Sequence, residues 1–201
     1  MSKSSITLIE AVTVVAIFAV IAAATGSILF TSSRTGARLA DKTKVFQDET
    51  WAIDYMINEA RWGTDFSVAP APFGNFDLVT FKTDLDRNGP TTSDPCVWYW
   101  RGFTTTTLPT TSYGNNDTLY RGLDSNCSAD MATSLQTANA SRQELATFLV
   151  DNPQDPANPG KTLRIFDYND TNKEFSAVLT AQEPKTHNNQ TFKARGVTLN
   201  D

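Results

Sequence analysis

Residues 6–30 read Ile6-Thr-Leu-Ile-Glu-Ala-Val-Thr-Val-Val-Ala-Ile-Phe-Ala-Val-Ile-Ala-Ala-Ala-Thr-Gly-Ser-Ile-Leu-Phe30, and Glu10 is the one charge in the stretch. Ala11–Phe30 alone spans about 30 Å as a helix, the thickness of a bilayer's hydrocarbon core. A secretory signal peptide cut near Ala22-Ala23-Ala24 is the simplest account of such a run. Two features oppose it: the run continues to Phe30, and an acid stands at its front, where a signal peptide carries positive charge. A carboxylate inside a membrane segment costs roughly 2.5–3.5 kcal/mol on insertion scales, so Glu10 calls for a counter-charge or a function. On its C-terminal side the first basic residue is Arg34, so that counter-charge is expected from another chain or from a nearby free amino terminus.

The rest of the 201 residues has a different character. The chain has net charge −5, two cysteines and one histidine, with 40% apolar and 19% charged residues. This length suits one domain of ordinary size. The acidic balance argues against direct nucleic-acid binding, which relies on Lys and Arg at phosphates. With His187 alone, His-rich metal sites are excluded, and its polar setting Lys185-Thr186-His187-Asn188-Asn189 reads as a solvated loop. No Walker, Rossmann, Gly-x-Ser-x-Gly or His-Glu-x-x-His pattern occurs, and an enzyme is not expected.

Beyond residue 30 an apolar stripe continues at sevens through Leu39, Phe46, Ile53 and Ala60, flanked by Met56 and Ile57. The spacing predicts one amphipathic helix over 31–62, with Asp48, Glu49, Asp54 and Glu59 among the charges of its opposite face. Gly26 and Gly36 are the expected bend points, and Gly63 the expected C-cap. In residues 63–201, eleven Lys/Arg stand against sixteen Asp/Glu, so the whole −5 belongs to this head. Strands are predicted in two groups. The first comprises Phe76–Thr83, Pro95–Phe103 and Thr118–Leu123; the second comprises Thr162–Tyr168, Glu174–Thr180 and Thr191–Leu199. Asn169–Asn172 is the expected turn of a hairpin in the second group. Ser141-Arg142-Gln143-Glu144 reads as a capping box opening a short helix to Val150. Trp98, Tyr99 and Trp100 offer a binding platform, although strand alternation places at least one of them in the core. A long helix followed by mostly antiparallel strands is an α+β architecture.

Ser5-Ile6-Thr7-Leu8-Ile9-Glu10 resembles the class III signal of type IV pilins and type II secretion pseudopilins, in which a short basic leader precedes Thr-Leu-Ile-Glu and a long apolar helix. Ser5 stands where that family has Gly, and Ile6 where it has Phe or Met. The resemblance implies a leader at residues 1–5, cut between Ser5 and Ile6 by a prepilin peptidase that methylates the new amino terminus. It implies a membrane and assembly helix at 6–30, a continuation at 31–62 and a globular head at 63–201, the pilin-like fold. Glu10 then falls fifth in the mature chain and is expected to pair with the amino terminus of a neighbouring pilin or pseudopilin subunit. The implied protein is a single-pass inner-membrane subunit with a periplasmic or extracellular head. An inner-membrane assembly platform draws it into a filament. Phe76–Asp86 and Leu119-Tyr120-Arg121 are similar to minor pilins and J-type minor pseudopilins, which favours a minor subunit. The alternative is a membrane-anchored or secreted extracytoplasmic binding module with an ordinary signal peptide.

If the head lies outside the cytoplasm, Cys96 and Cys127 read as one disulfide; in the cytosol they would remain two thiols. Asp84-Leu85-Asp86-Arg87-Asn88-Gly89 has the D-x-D-x-N-G opening of a calcium loop, with Asp94 as a further oxygen ligand. Pro95 stands where the loop's bidentate Glu belongs, so an Asx/Gly hairpin turn is the favoured reading, and calcium at Asp84, Asp86, Asn88 and Asp94 is the alternative.

Overall fold

A computed structural model describes residues 8–69, 77–84, 94–105, 111–156, 162–184 and 187–199. The chain divides into two compact units, one ending at Lys42 and one beginning at Thr43. Helix α1 (Leu8–Ala60) is continuous through Gly26 and Gly36.

The second unit is α+β. Strands β1 (Gly63–Val68), β2 (Leu78–Thr83), β3 (Cys96–Arg101), β4 (Leu119–Asp124) and β5 (Gln143–Ala146) form a five-stranded sheet in chain order. Helix α2 (Met131–Ala140) lies between β4 and β5 in sequence. Strands β6 (Phe166–Asn169), β7 (Glu174–Gln182) and β8 (Asn189–Val197) form a second sheet, also in chain order. Every pairing is antiparallel, and the β6–β7 hairpin turns at the expected Asn169–Asn172.

The side-chain period of two accounts for the layering. On one face of the first sheet, Val79, Phe81, Val97, Tyr99 and Leu119 meet Ala52, Ile53, Met56, Ile57 and Ala60 of α1, together with Phe166, Phe175, Ala177 and Leu179 of the second sheet. On the opposite face, Leu78, Trp98, Trp100 and Tyr120 meet Leu135 and Ala138 of α2. Strand β3 is therefore covered on both faces, which explains its continuous apolar run. Trp98, Tyr99 and Trp100 are all wholly buried, so the binding-platform reading is corrected: they are core. Gly122 permits this close stacking, since a Cβ there would lie 2.2 Å from the Ala138 carbonyl oxygen. Gly196 does the same beneath α1, where a Cβ would lie 2.7 Å from Cγ2 of Ile57. Phe66 stacks on both Phe81 and Tyr168, tying the two sheets edge to edge.

Two local expectations are corrected, and two features were not foreseen in the sequence. Gly63 is not a C-cap; it opens β1 with negative φ. The helix end is closed instead by the Trp62 N–H to the Glu59 carbonyl at 3.1 Å, and the Arg61 and Trp62 carbonyls accept from Leu199 and Asp84. The predicted helix from Ser141 to Val150 is absent: Ser141 is the C-cap of α2, and Gln143–Ala146 pairs with β4. Asp130 is the true N-cap, its carboxylate accepting from the Ala132 and Thr133 N–H groups. Strand β1 was not predicted, because a bulge at Asp65, in the left-handed region at φ 54°, breaks its alternation.

Candidate membrane segment and the head's buried polar network

Leu8, Ile9, Val12, Val15, Phe18, Val20, Ile28 and Phe30 are all exposed, and this part of α1 is long and apolar enough to cross a membrane. Its hydroxyls are turned inward on the helix itself. Thr13, Thr25 and Thr31 each donate to the carbonyl four residues back at 2.7–2.9 Å, and Ser27 donates three residues back at 2.8 Å. This back-bonding removes free donors from the surface a hydrocarbon phase would touch. Glu10 is exposed near the described start of the helix, and Arg34 closes the apolar stretch with its guanidinium 4.1 Å from the Phe30 ring centre. Ser5 and Ile6 lie outside the described residues.

The head contains charges that the sequence reading placed on the solvent face of α1. Glu59 is held in a buried cluster. The Arg121 guanidinium donates to both its carboxylate oxygens, through Nε at 2.9 Å and through Nη2, and the Tyr99 hydroxyl donates to Oε2. Tyr55 lies under the same guanidinium, with its ring centre 5.6 Å away. Burial, then the charge of Glu59, push the Tyr99 hydroxyl well above its usual range, so it stays a donor. Burial alone would lower the Arg121 guanidinium, but hydrogen bonding and charge from Glu59 hold it above its ordinary value. This cluster fixes the last turn of α1 to β3 and β4. It could have been suspected from Glu59 lying beside the stripe residues Met56 and Ala60, but its partner on β4 is 62 residues away.

Glu49 is the second correction. It is fully buried, and among the described residues neither carboxylate oxygen has a hydrogen-bond partner. Burial, then the neighbouring Asp48 charge, raise its pKa to about 8, so at neutral pH it is held protonated. Its spacing from Val45, Ala52, Ile53 and Met56 puts it on the apolar stripe itself.

Cys96 and Cys127 form a disulfide with Cα atoms 4.9 Å apart. The turn presenting Cys127 is organised by Asp124, whose carboxylate accepts from the Asn126 and Ser128 N–H groups at 3.1 and 2.8 Å. Burial opposes ionisation of Asp124, but bonds from Ser134 and from these backbone groups bring its pKa below the ordinary value. The Ser134 hydroxyl also accepts the Trp98 indole N–H at 2.9 Å, so one serine on α2 joins β3 to β4.

Of the calcium candidates, Asp84 and Asp94 are buried, whereas Asp86 and Asn88 lie outside the described residues. Among the described residues no group of three or more His, Cys, Asp or Glu is placed to hold a metal ion. His187 sits beside Gln182, its Nδ1 3.4 Å from the amide oxygen.

No family model, curated protein or solved structure matches this chain.

Proposed function

We propose that the chain is a structural subunit, of the minor kind, of a type IV pilus or type II secretion pseudopilus. The observation that carries this reading is the exposed, self-bonded apolar stretch of α1, whose helix continues into the packing face of an α+β head. An apolar helix transfers between a bilayer and an apolar filament core at little cost, because both surroundings are hydrocarbon. Glu10, with the resemblance of Ser5–Glu10 to the class III signal, adds the recruiting contact: its carboxylate pairs with the amino terminus of a neighbouring subunit in a medium where that pairing is strong. Prepilin peptidase and an inner-membrane assembly platform are the partners this reading requires. The single-pass inner-membrane location, with the head periplasmic or extracellular, is supported by the disulfide, which belongs in an oxidising compartment. The proposed role is mechanical and non-enzymatic.

Mass spectrometry of the mature amino terminus tests it. A methylated Ile6 is expected. A mature chain starting at Thr25 would replace this reading with a secreted, extracytoplasmic binding module. Glu10→Ala is expected to leave the head folded and to abolish or slow incorporation into the filament; normal incorporation would remove the assembly role of Glu10.

A further inference from the structure

Strand alternation puts Leu78, Thr80 and Lys82 of β2 on the face that carries α2, and Val79 and Phe81 on the face toward α1. Thr80 is 4% exposed, and among the described residues its Oγ1 has no hydrogen-bond partner. Trp98 lies opposite it on β3, but the indole N–H is already given to Ser134. A buried hydroxyl left without a partner costs stability, and folded proteins hold few of them. Rotation about χ1 exchanges this hydroxyl with the residue's methyl group, so its direction is not fixed by the backbone.

Thr80 lines a cavity of about 310 Å³ at the end of α2. Three sulfur-bearing side chains share the wall: Met131 and the bonded pair Cys96 and Cys127. Polarisable sulfur makes favourable contacts with aromatic rings. An apolar cavity of about 150 Å³ holds benzene, so this one has room for a ring and the start of the chain that carries it. The rim is polar. Asp65, at the bulge of β1, pairs with Lys82 at 3.0 Å, and Ala129 stands exposed beside them. An apolar pocket inside a polar rim is the setting in which one aromatic side chain anchors a protein interface. A ring with a terminal hydroxyl meets both demands of the interior, the sulfur wall and the unpaired Thr80 oxygen.

The chain's own five tyrosines do not supply that ring. Tyr99, Tyr113 and Tyr120 are buried, and Tyr55 and Tyr168 are half-buried in stacks with Trp51 and Phe66. A second copy of this chain therefore has no exposed tyrosine to offer. We propose that the cavity is a docking pocket for one tyrosine side chain of a different protein, its ring against Met131 and the disulfide and its hydroxyl bonded to Thr80. This contact belongs to the head and needs neither Glu10 nor the apolar part of α1.

The test uses the full-length chain in dodecyl maltoside without reductant, labelled at its methionine methyl groups. The probes are N-acetyltyrosinamide and N-acetylphenylalaninamide, which differ by the hydroxyl alone. A saturable shift of the Met131 signal is expected, with Met56, fully buried in the core beneath α1, unmoved. The tyrosine amide should bind about fivefold more tightly than the phenylalanine amide, the worth of one neutral hydrogen bond. Thr80→Val keeps the side chain's shape and should abolish this preference, so that the two amides bind alike. Ala129→Trp, at the exposed rim, should exclude both. If the valine variant does not fold, the comparison of the two amides and the rim variant decide the matter. A Met131 signal that stays still with both probes overturns the proposal. So does equal binding of the two amides by the unaltered chain, a preference that survives Thr80→Val, or undiminished binding by the Ala129→Trp variant.

Discussion

Along α1 one secondary structure meets two kinds of surroundings. Between Leu8 and Ala40 the side chains are exposed, and the hydroxyls of Thr13, Thr25, Ser27 and Thr31 bond back to their own helix. Between Thr43 and Ala60 one stripe is buried, and its polar groups depend on partners from distant strands or, at Glu49, on holding a proton. In the first region the exposed apolar side chains make no packing contacts within the head, so the head's folding does not depend on their exact identity. In the second, residue type answers to individual contacts, and a single side chain has a measurable effect on folding. The two ends of one helix therefore tolerate substitution very differently.

That contrast is breakable by mutation, most sharply at the Glu59 cluster. Arg121→Met leaves a carboxylate buried without its bidentate partner, and chemical denaturation should show a loss of about 3–5 kcal/mol. The double variant Glu59→Gln, Arg121→Met should recover much of that loss, because no lone charge remains. Removing the disulfide as Cys96→Ser, Cys127→Ser should lower stability by roughly 3–4 kcal/mol, the loop-closure entropy of about thirty residues, read from urea midpoints under non-reducing conditions.

Glu49 sharpens the comparison through pH. Its pKa of about 8 in the folded state lies above the ordinary carboxyl value of 4.5, so the folded head binds a proton that the unfolded chain releases. The stabilising effect of that proton is complete below pH 4.5, declines between 4.5 and 8 by about 1.4 kcal/mol per pH unit, and levels off above. Glu49→Gln should flatten this slope in unfolding curves taken across the range; an unchanged slope would mean that the carboxyl is ionised in place. Asp130→Ala, which removes the N-cap of α2, should lower the urea midpoint of unfolding by less than any of the changes above. At the far end of the scale, Phe18→Ala should shift the head's unfolding by less than about 0.5 kcal/mol, because that side chain is exposed.

The features legible in the sequence were those governed by short-range pattern. The apolar stretch, both strand groups and the Asn169–Asn172 turn depend on residues close in the chain, and each is found where it was expected; of the seven-residue stripe, Ile53 and Ala60 are buried, whereas Leu39 and Phe46 are exposed. Cys96 and Cys127 were legible as a pair because there are only two cysteines. The parts that escaped were settled by tertiary partners. Ser141-Arg142-Gln143-Glu144 has the composition of a helix start, yet Gln143 and Glu144 lie opposite Arg121 and Tyr120 on an open edge of β4, and that pairing decides the matter. Asp130 ahead of Met131, Leu135 and Ala138 carried the readable signal for α2, a capping acid followed by apolar residues at helical spacing. Glu49 and Glu59 read as solvent-facing by their charge alone, and their burial is set by position. Their spacing relative to Met56 and Ala60 already placed them beside the core.

The burial of β3 on both faces also equips the head with an optical gauge. Trp98 and Trp100 are fully enclosed, and Trp98 donates its indole N–H to Ser134, whereas Trp51 on α1 is half exposed. Near-ultraviolet dichroism should be dominated by the enclosed pair and report the packing of α2 against the sheet. Fluorescence quenching by iodide should reach Trp51 first. Excited with the same light, the two signals separate loosening of the head's interior from events at the surface of α1.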